Sequence, residues 1–226
     1  MVSSLGDLSR FERALWCFSS ATLLLSFFLS GSRDLLTLTA SLIGVTALLF
    51  VAKGYVIGQV LTIIFAVFYG IISFYFRYYG EMITYLCMTA PIAALTAREW
   101  LHHPYQGTRE VEVNRLNRRQ LLLLSLAAAL VTALFYFILE ALGNANLAVS
   151  TFSITTSFLA AGLTFFRSPY YAVAYAANDL VLIVLWIMAT LEHSAYLPMA
   201  VCFALFFAND MYGFYNWKRM QSRQTI

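Results

Sequence analysis

Charged side chains are scarce in this chain: 14 Lys and Arg and 11 Asp and Glu stand among 226 residues. Water-soluble domains carry about a quarter of their residues as charge. A chain that is 11% charged and 61% hydrophobic has more apolar surface than one soluble core can hide, so lipid must be part of its solvent. Cysteine is limited to Cys17, Cys87 and Cys202, all inside apolar runs at unrelated spacings. That excludes a disulfide framework and a cysteine-based metal site. Histidine occurs only as His102-His103 in a polar loop and His193 in a short connection, so no metal ligand set is expected. Walker motifs, Gly-rich phosphate loops and HExxH are missing too, which argues against an ATP-driven pump and a membrane metalloprotease. No cofactor is implied, no enzyme is read, and a net charge of only +3 gives no reason to expect a nucleic-acid partner.

What is present is a series of nearly uncharged runs, at 14–30, 35–52, 55–76, 82–97, 121–142, 147–166, 170–191 and 195–216. Each is roughly the 17–25 residues that a helix needs to cross about 30 Å of hydrocarbon. Lipid cannot satisfy open backbone groups, so helix is the spanning form. The expectation is an all-α integral membrane protein of about eight spans. If all eight cross, Arg10, Arg13, Lys53, Arg98, Arg109, Arg115, Arg118, Arg119, Arg167, Lys218, Arg219 and Arg223 share one side, and Arg33 and Arg77 fall on the other. The positive-inside rule then places both termini in the cytoplasm of a cell (inner or plasma) membrane protein. Trp16, Trp100 and Trp217 all fall at the inner boundary, as in an interfacial aromatic belt. The first run, preceded by Arg10 and Arg13, also fits the outline of a secretory signal peptide; either reading leaves the other seven spans oriented alike.

Two stretches of three spans share an outline. Each begins with a span holding Ser and Gly at similar offsets (Ser41 and Gly44; Ser157 and Gly162) and then turns through a cation, at Lys53-Gly54 and at Arg167-Ser168. One span separates them, so the halves are related by an axis along the membrane normal, an arrangement found in transporters with a solute site near the midplane. The chain divides accordingly into 1–34 (N-terminus and an extra first span), 35–97 (first three-helix bundle), 98–146 (cytoplasmic loop and linker helix), 147–216 (second three-helix bundle) and 217–226 (tail).

Polar residues inside the runs are few. Asn178-Asp179 lies about eight residues into the seventh run and Asn209-Asp210 about eight residues before the inner end of the eighth. At about 1.5 Å per residue both pairs stand about 12 Å above the inner boundary on neighbouring antiparallel helices. An aspartate at mid-membrane costs roughly 2.5–3.5 kcal/mol on insertion scales. The two pairs therefore form a structural network or line a polar cavity, and the aromatic and polar surroundings favour the cavity. Tyr175, Asp179 and Trp186 fall near one helix face, as do Asn209, Tyr212 and Asn216. Gln59 and Tyr69 on the third run and Thr84, Tyr85 and Thr89 on the fourth add uncharged hydrogen-bonding groups. Aromatic faces with amides suit a neutral or singly charged solute bearing a flat ring and hydroxyls. Glu81 and Glu140 fall at the outer ends of their runs, within reach of water.

The string Asn209-Asp-Met-Tyr-Gly-Phe-Tyr-Asn-Trp217, with Tyr170-Tyr171, Tyr175, Asn178-Asp179 and Trp186 before it, resembles the PnuC family of vitamin transporters. The likeness continues in Ala66-Val-Phe-Tyr-Gly-Ile-Ile-Ser-Phe74 and Arg77-Tyr-Tyr-Gly-Glu-Met82. The resemblance implies a SWEET-like fold of two parallel three-helix bundles joined by a linker helix, assembly as a homotrimer, and facilitated uptake of nicotinamide riboside, trapped by a cytoplasmic riboside kinase. It also carries Asn178, Trp186, Asn209, Asp210, Tyr212, Asn216 and Trp217, with Gln59 and Tyr69, to a ligand cavity that on the depth argument includes Asp179. The extra run at 14–30 departs from a seven-helix core. Relatives in the family carry thiamine or riboflavin instead, and a membrane-embedded enzyme using Asp179 and Asp210 is the alternative from another class.

Overall fold

A computed structural model describes residues 6–31, 34–144 and 146–225; Arg33, expected on the outer side, lies outside them. The long elements are all helical: α1 Arg10–Leu29, α2 Leu35–Ala52, α3 Val56–Tyr75, α4 over 79–102, α5 Arg118–Ala141, α6 Leu147–Phe165, α7 Tyr171–Glu192 and α8 Leu197–Gln224. Six of them, α2, α3, α5, α6, α7 and α8, are long and apolar enough to cross a membrane. The other two differ in kind. α1 carries Arg10, Glu12 and Arg13 in its first turn, and α4 is divided by a π-helical segment at Thr84–Thr89, followed by Pro91. A wider turn at this point gives the proline ring room in a helix it would otherwise break.

Local sequence explains where the helices begin and end. Ser9 caps α1 reciprocally with Glu12, Asn117 caps α5 with Gln120, and Asp34 accepts from two amides at the head of α2. Such side chains satisfy amides that have no partner inside the helix. The α2–α3 turn passes through Gly54 at φ +68°, and the α6–α7 turn through Arg167 at φ +58°. These are corresponding positions, so the two cationic turns seen in the sequence close in the same left-handed way. Only Gly54 is also crowded: a Cβ there would stand 2.8 Å from Met220 Cε.

α2, α3 and α4 pack in sequence, as do α6, α7 and α8. Across the molecule the contacts are reciprocal, with α8 lying on α2 and α4 lying on α6, so the last helix of each triplet meets the first helix of the other. α5 lies along α6, where Leu124 fills the space over Gly162. α1 packs on α2 and α8. The polar segment after α4 folds back on the α2–α3 turn, with the Val111 amide donating to the Gly54 carbonyl.

Two expectations are corrected here. Trp100 and Trp217 are not belt residues: both are buried, their rings 5.5 Å apart, and their indoles donate to the Thr164 and Val51 carbonyls. Depth along a helix does not say which side faces lipid, and these rings face protein. Trp16 is half-buried and donates to Thr46 Oγ1. Glu81 is fully buried rather than wetted; beside it in the chain, the Gly80 amide donates to Asn144 Oδ1, and Asn144 Nδ2 donates to the Ser150 hydroxyl. Glu140 is exposed, as its position suggested.

Candidate solute-binding site

Asp179 on α7 and Asp210 on α8 line one cavity, and their carboxyls are close enough to interact. Equal depth from the end of the bundle brings them together, as the helix rise required. Asn178, Gln59, Thr62 and Thr89 add to its polar lining, and Phe65, Tyr85, Tyr175 and Phe206 supply ring faces. Asn178 is firmly placed, since its Oδ1 accepts from Ser153, Thr156 and Ser157 on α6 at 2.8–3.2 Å. Three bonds to the oxygen leave the amide nitrogen as the polar group it offers the cavity. The buried Asp179 Oδ2 has no protein partner. Among the described residues, no Lys or Arg lines the cavity. Its acids are thus available to a solute, and a cation is what two carboxyls this deep would favour.

One end of the cavity is closed by aromatics. Trp186 Nε1 donates to Tyr69 Oη at 2.9 Å, and both residues are fully buried. Tyr69 meets Tyr85 with ring centroids 4.4 Å apart, while Phe76 and Tyr78 stand edge-on to Trp186. Tyr85 belongs to both groups, so the plug sits directly on the cavity. The free volume below it is about 50 Å³, far less than the roughly 300 Å³ or more of ordinary ligand pockets. The cavity is therefore contracted.

Asn209, Tyr212 and Asn216 do share a face of α8, but that face is turned away from the cavity. Asn209 Nδ2 donates to the Leu205 carbonyl and to Ser19 Oγ of α1, Tyr212 Oη donates to Glu12 Oε1, and Asn216 Nδ2 donates to the Ala52 carbonyl. Trp217 packs against Trp100 and Tyr171 below the cavity. The side of α8 that reaches the site is Phe206 and Asp210, four residues apart. Phe206, Phe65 and Thr62 are lining residues the sequence reading missed. Their signal was present as spacing from polar anchors: Phe206 stands one turn before Asp210, and Thr62 and Phe65 follow Gln59 on one side of α3.

A contracted polar cavity among helices long and apolar enough to cross a membrane fits a multi-pass membrane transporter. Residues 34–219 match the family described as nicotinamide mononucleotide transporter, and the chain belongs to it. The nicotinamide riboside transporter PnuC of Neisseria mucosa is 25% identical over 225 residues, an alignment covering 97% of this chain and 85% of that protein. The crystal structure described as that of the vitamin B3 transporter PnuC shares the fold, with a TM-score of 0.84 at 24% identity, covering 97% of this chain and 95% of the other.

Proposed function

We propose that the protein mediates facilitated uptake of nicotinamide riboside across the cell membrane. The observation that carries this reading is the pairing of Asp179 and Asp210 with ring faces in a cavity free of Lys and Arg. Nicotinamide riboside presents a flat pyridinium, a carboxamide and sugar hydroxyls. The carboxyls and the rings of Tyr85 and Tyr175 suit the cationic ring, and Gln59 and Asn178 suit the carboxamide or the ribose. Tyr69 and Trp186 form the wall at one end, and Asn209, Tyr212, Asn216 and Trp217 hold α8 so that Asp210 faces inward. The name of the Neisseria relative supports the same substrate. A thiamine-like solute, which also carries a flat cation, is the second reading; a neutral ring such as riboflavin leaves the two carboxyls without a counter-charge.

The proposed organisation is SWEET-like: α2–α4 and α6–α8 as parallel bundles, α5 as linker, and α1 as an additional span, giving eight crossings with both termini in the cytoplasm. The reciprocal packing of α8 on α2 and α4 on α6 supports it, as does the collection of cations at one end. A homotrimer and phosphorylation of the product by a cytoplasmic riboside kinase complete the proposal. Purified protein in liposomes enclosing a riboside kinase and ATP should accumulate labelled nicotinamide riboside, and without the kinase it should only equilibrate it. Uptake of thiamine or riboflavin with none of the riboside overturns the assignment.

A further inference from the structure

At the cation-rich end of the bundle four basic side chains have acidic partners among the described residues: Lys53 has Glu12, Arg109 has Asp7, Arg167 has Glu99 and Arg223 has Glu110. Among the basic side chains without such a partner, Arg115 and Lys218 stand out by their setting. Neither forms an ion pair with a described residue, and both line one pocket of about 440 Å³ between the head of α5, the α6–α7 turn and the end of α8. No acidic side chain lines it among the described residues. Lys218 is held there by the Tyr170 ring, 5.2 Å from its Nζ, and by Gln221 Oε1 at 3.0 Å. Among the described residues, Arg115 is steadied by a long contact from Nη2 to Thr225 Oγ1, at 3.4 Å.

The other half of the pocket is apolar, with Leu121 and Leu163 on its wall. Leu121 is also the first of a row along α5 that continues through Leu122, Leu126 and Leu130, all more than half exposed. α5 is the most outward-facing of the spanning helices, with 11% of its apolar window buried. The pocket therefore joins two unpaired cations to a strip of hydrocarbon-facing leucine at the level where a bilayer changes from headgroup to chain. We propose that it binds an anionic phospholipid, with the phosphate between Arg115 and Lys218 and an acyl chain along the leucines of α5. Basic pockets between helices at the inner boundary are where acidic lipid headgroups bind, and apolar chain area adds to the attraction of charge. A free phosphate would match the cations and leave the leucine wall unused.

Thermal unfolding in a neutral detergent separates these cases. Dioleoylphosphatidylglycerol should raise the unfolding midpoint by about 5 °C or more near saturation, whereas dioleoylphosphatidylcholine and inorganic phosphate at matched concentration should leave it within about 1 °C. The double variant Arg115→Gln/Lys218→Gln should lose the phosphatidylglycerol shift, and Arg109→Gln, outside the pocket, should keep it. An equal shift with phosphatidylcholine, reproduction by phosphate, or an undiminished shift in the double variant overturns the site. Should that variant not fold, a photoreactive phosphatidylglycerol on the wild-type chain decides the matter. Label concentrated in 114–121 and 163–170 supports the site, and label spread evenly over the bundle removes it.

Discussion

Asp179 and Asp210 gain their meaning from what they lack, since among the described residues no side-chain cation lines their cavity. Asp210→Asn keeps the size of the group and removes its charge. It is expected to weaken binding of a cationic riboside at least about tenfold, equivalent to about 1.4 kcal/mol, with the unfolding temperature little changed; titration calorimetry on the purified variant measures it. Gly44 is part of the cavity wall and tests its packing. A Cβ there would stand 2.3 Å from Cζ of Phe206, so Gly44→Ala must displace a ring that lines the site. Overpacking of this kind costs about 1–3 kcal/mol, and denaturant unfolding should report it together with slower transport. At this scale the sequence was legible where chemistry was unusual: an aspartate in an apolar run announces itself. For Phe65 and Phe206 it offered only their helical spacing from Gln59 and Asp210, a faint mark for two phenylalanines among 19.

Among the elements, α1 is the one whose attachment is most polar. Glu12 is buried yet receives Lys53 Nζ at 3.1 Å from the α2–α3 turn and Tyr212 Oη at 2.8 Å from α8. Removing one member of such a pair leaves the other without its counter-charge. Glu12→Gln should therefore destabilise the protein by about 2 kcal/mol, below the range for fully buried pairs because Lys53 still meets some water. A cycle with Lys53→Met, followed by thermal unfolding, isolates the pairwise part. α4 calls for a different measurement. Amides within Thr84–Thr89 have wide-turn geometry in place of regular α-helical bonding, and they should exchange with deuterium faster than those of α3 beside them. Long apolar runs made the helices readable one by one. The π segment was not readable, because it depends on how Pro91 is accommodated. Nor was the orientation of α8: α1, α2 and α7 all pack on it, so more than one of its faces is buried, and periodicity cannot tell the face that meets α1 from the face that meets the cavity.

For the molecule as a whole, the repeat of two triplets was visible only as an outline of shared turns, and Lys53-Gly54 and Arg167-Ser168 do close alike. The crossed packing of α8 on α2 and α4 on α6 had no counterpart in the linear order, since it joins residues far apart in the chain through shape alone. A topology reporter fused after Thr225 should be active only when it functions in the cytoplasm; activity restricted to the periplasmic form would reverse the proposed orientation. The bare acidity of the cavity also bears on energetics. A pyridinium that passes between two carboxyls with no lysine or arginine travelling against it carries its charge from one side to the other. Each crossing is then a small electric current, and an interior at −100 mV favours entry by about 2.3 kcal/mol, an accumulation of roughly fiftyfold with no ion gradient harnessed at all. Clamping liposomes at different voltages with valinomycin and potassium should change the riboside level reached at equilibrium, and a level indifferent to voltage would mean that a compensating charge moves with the solute.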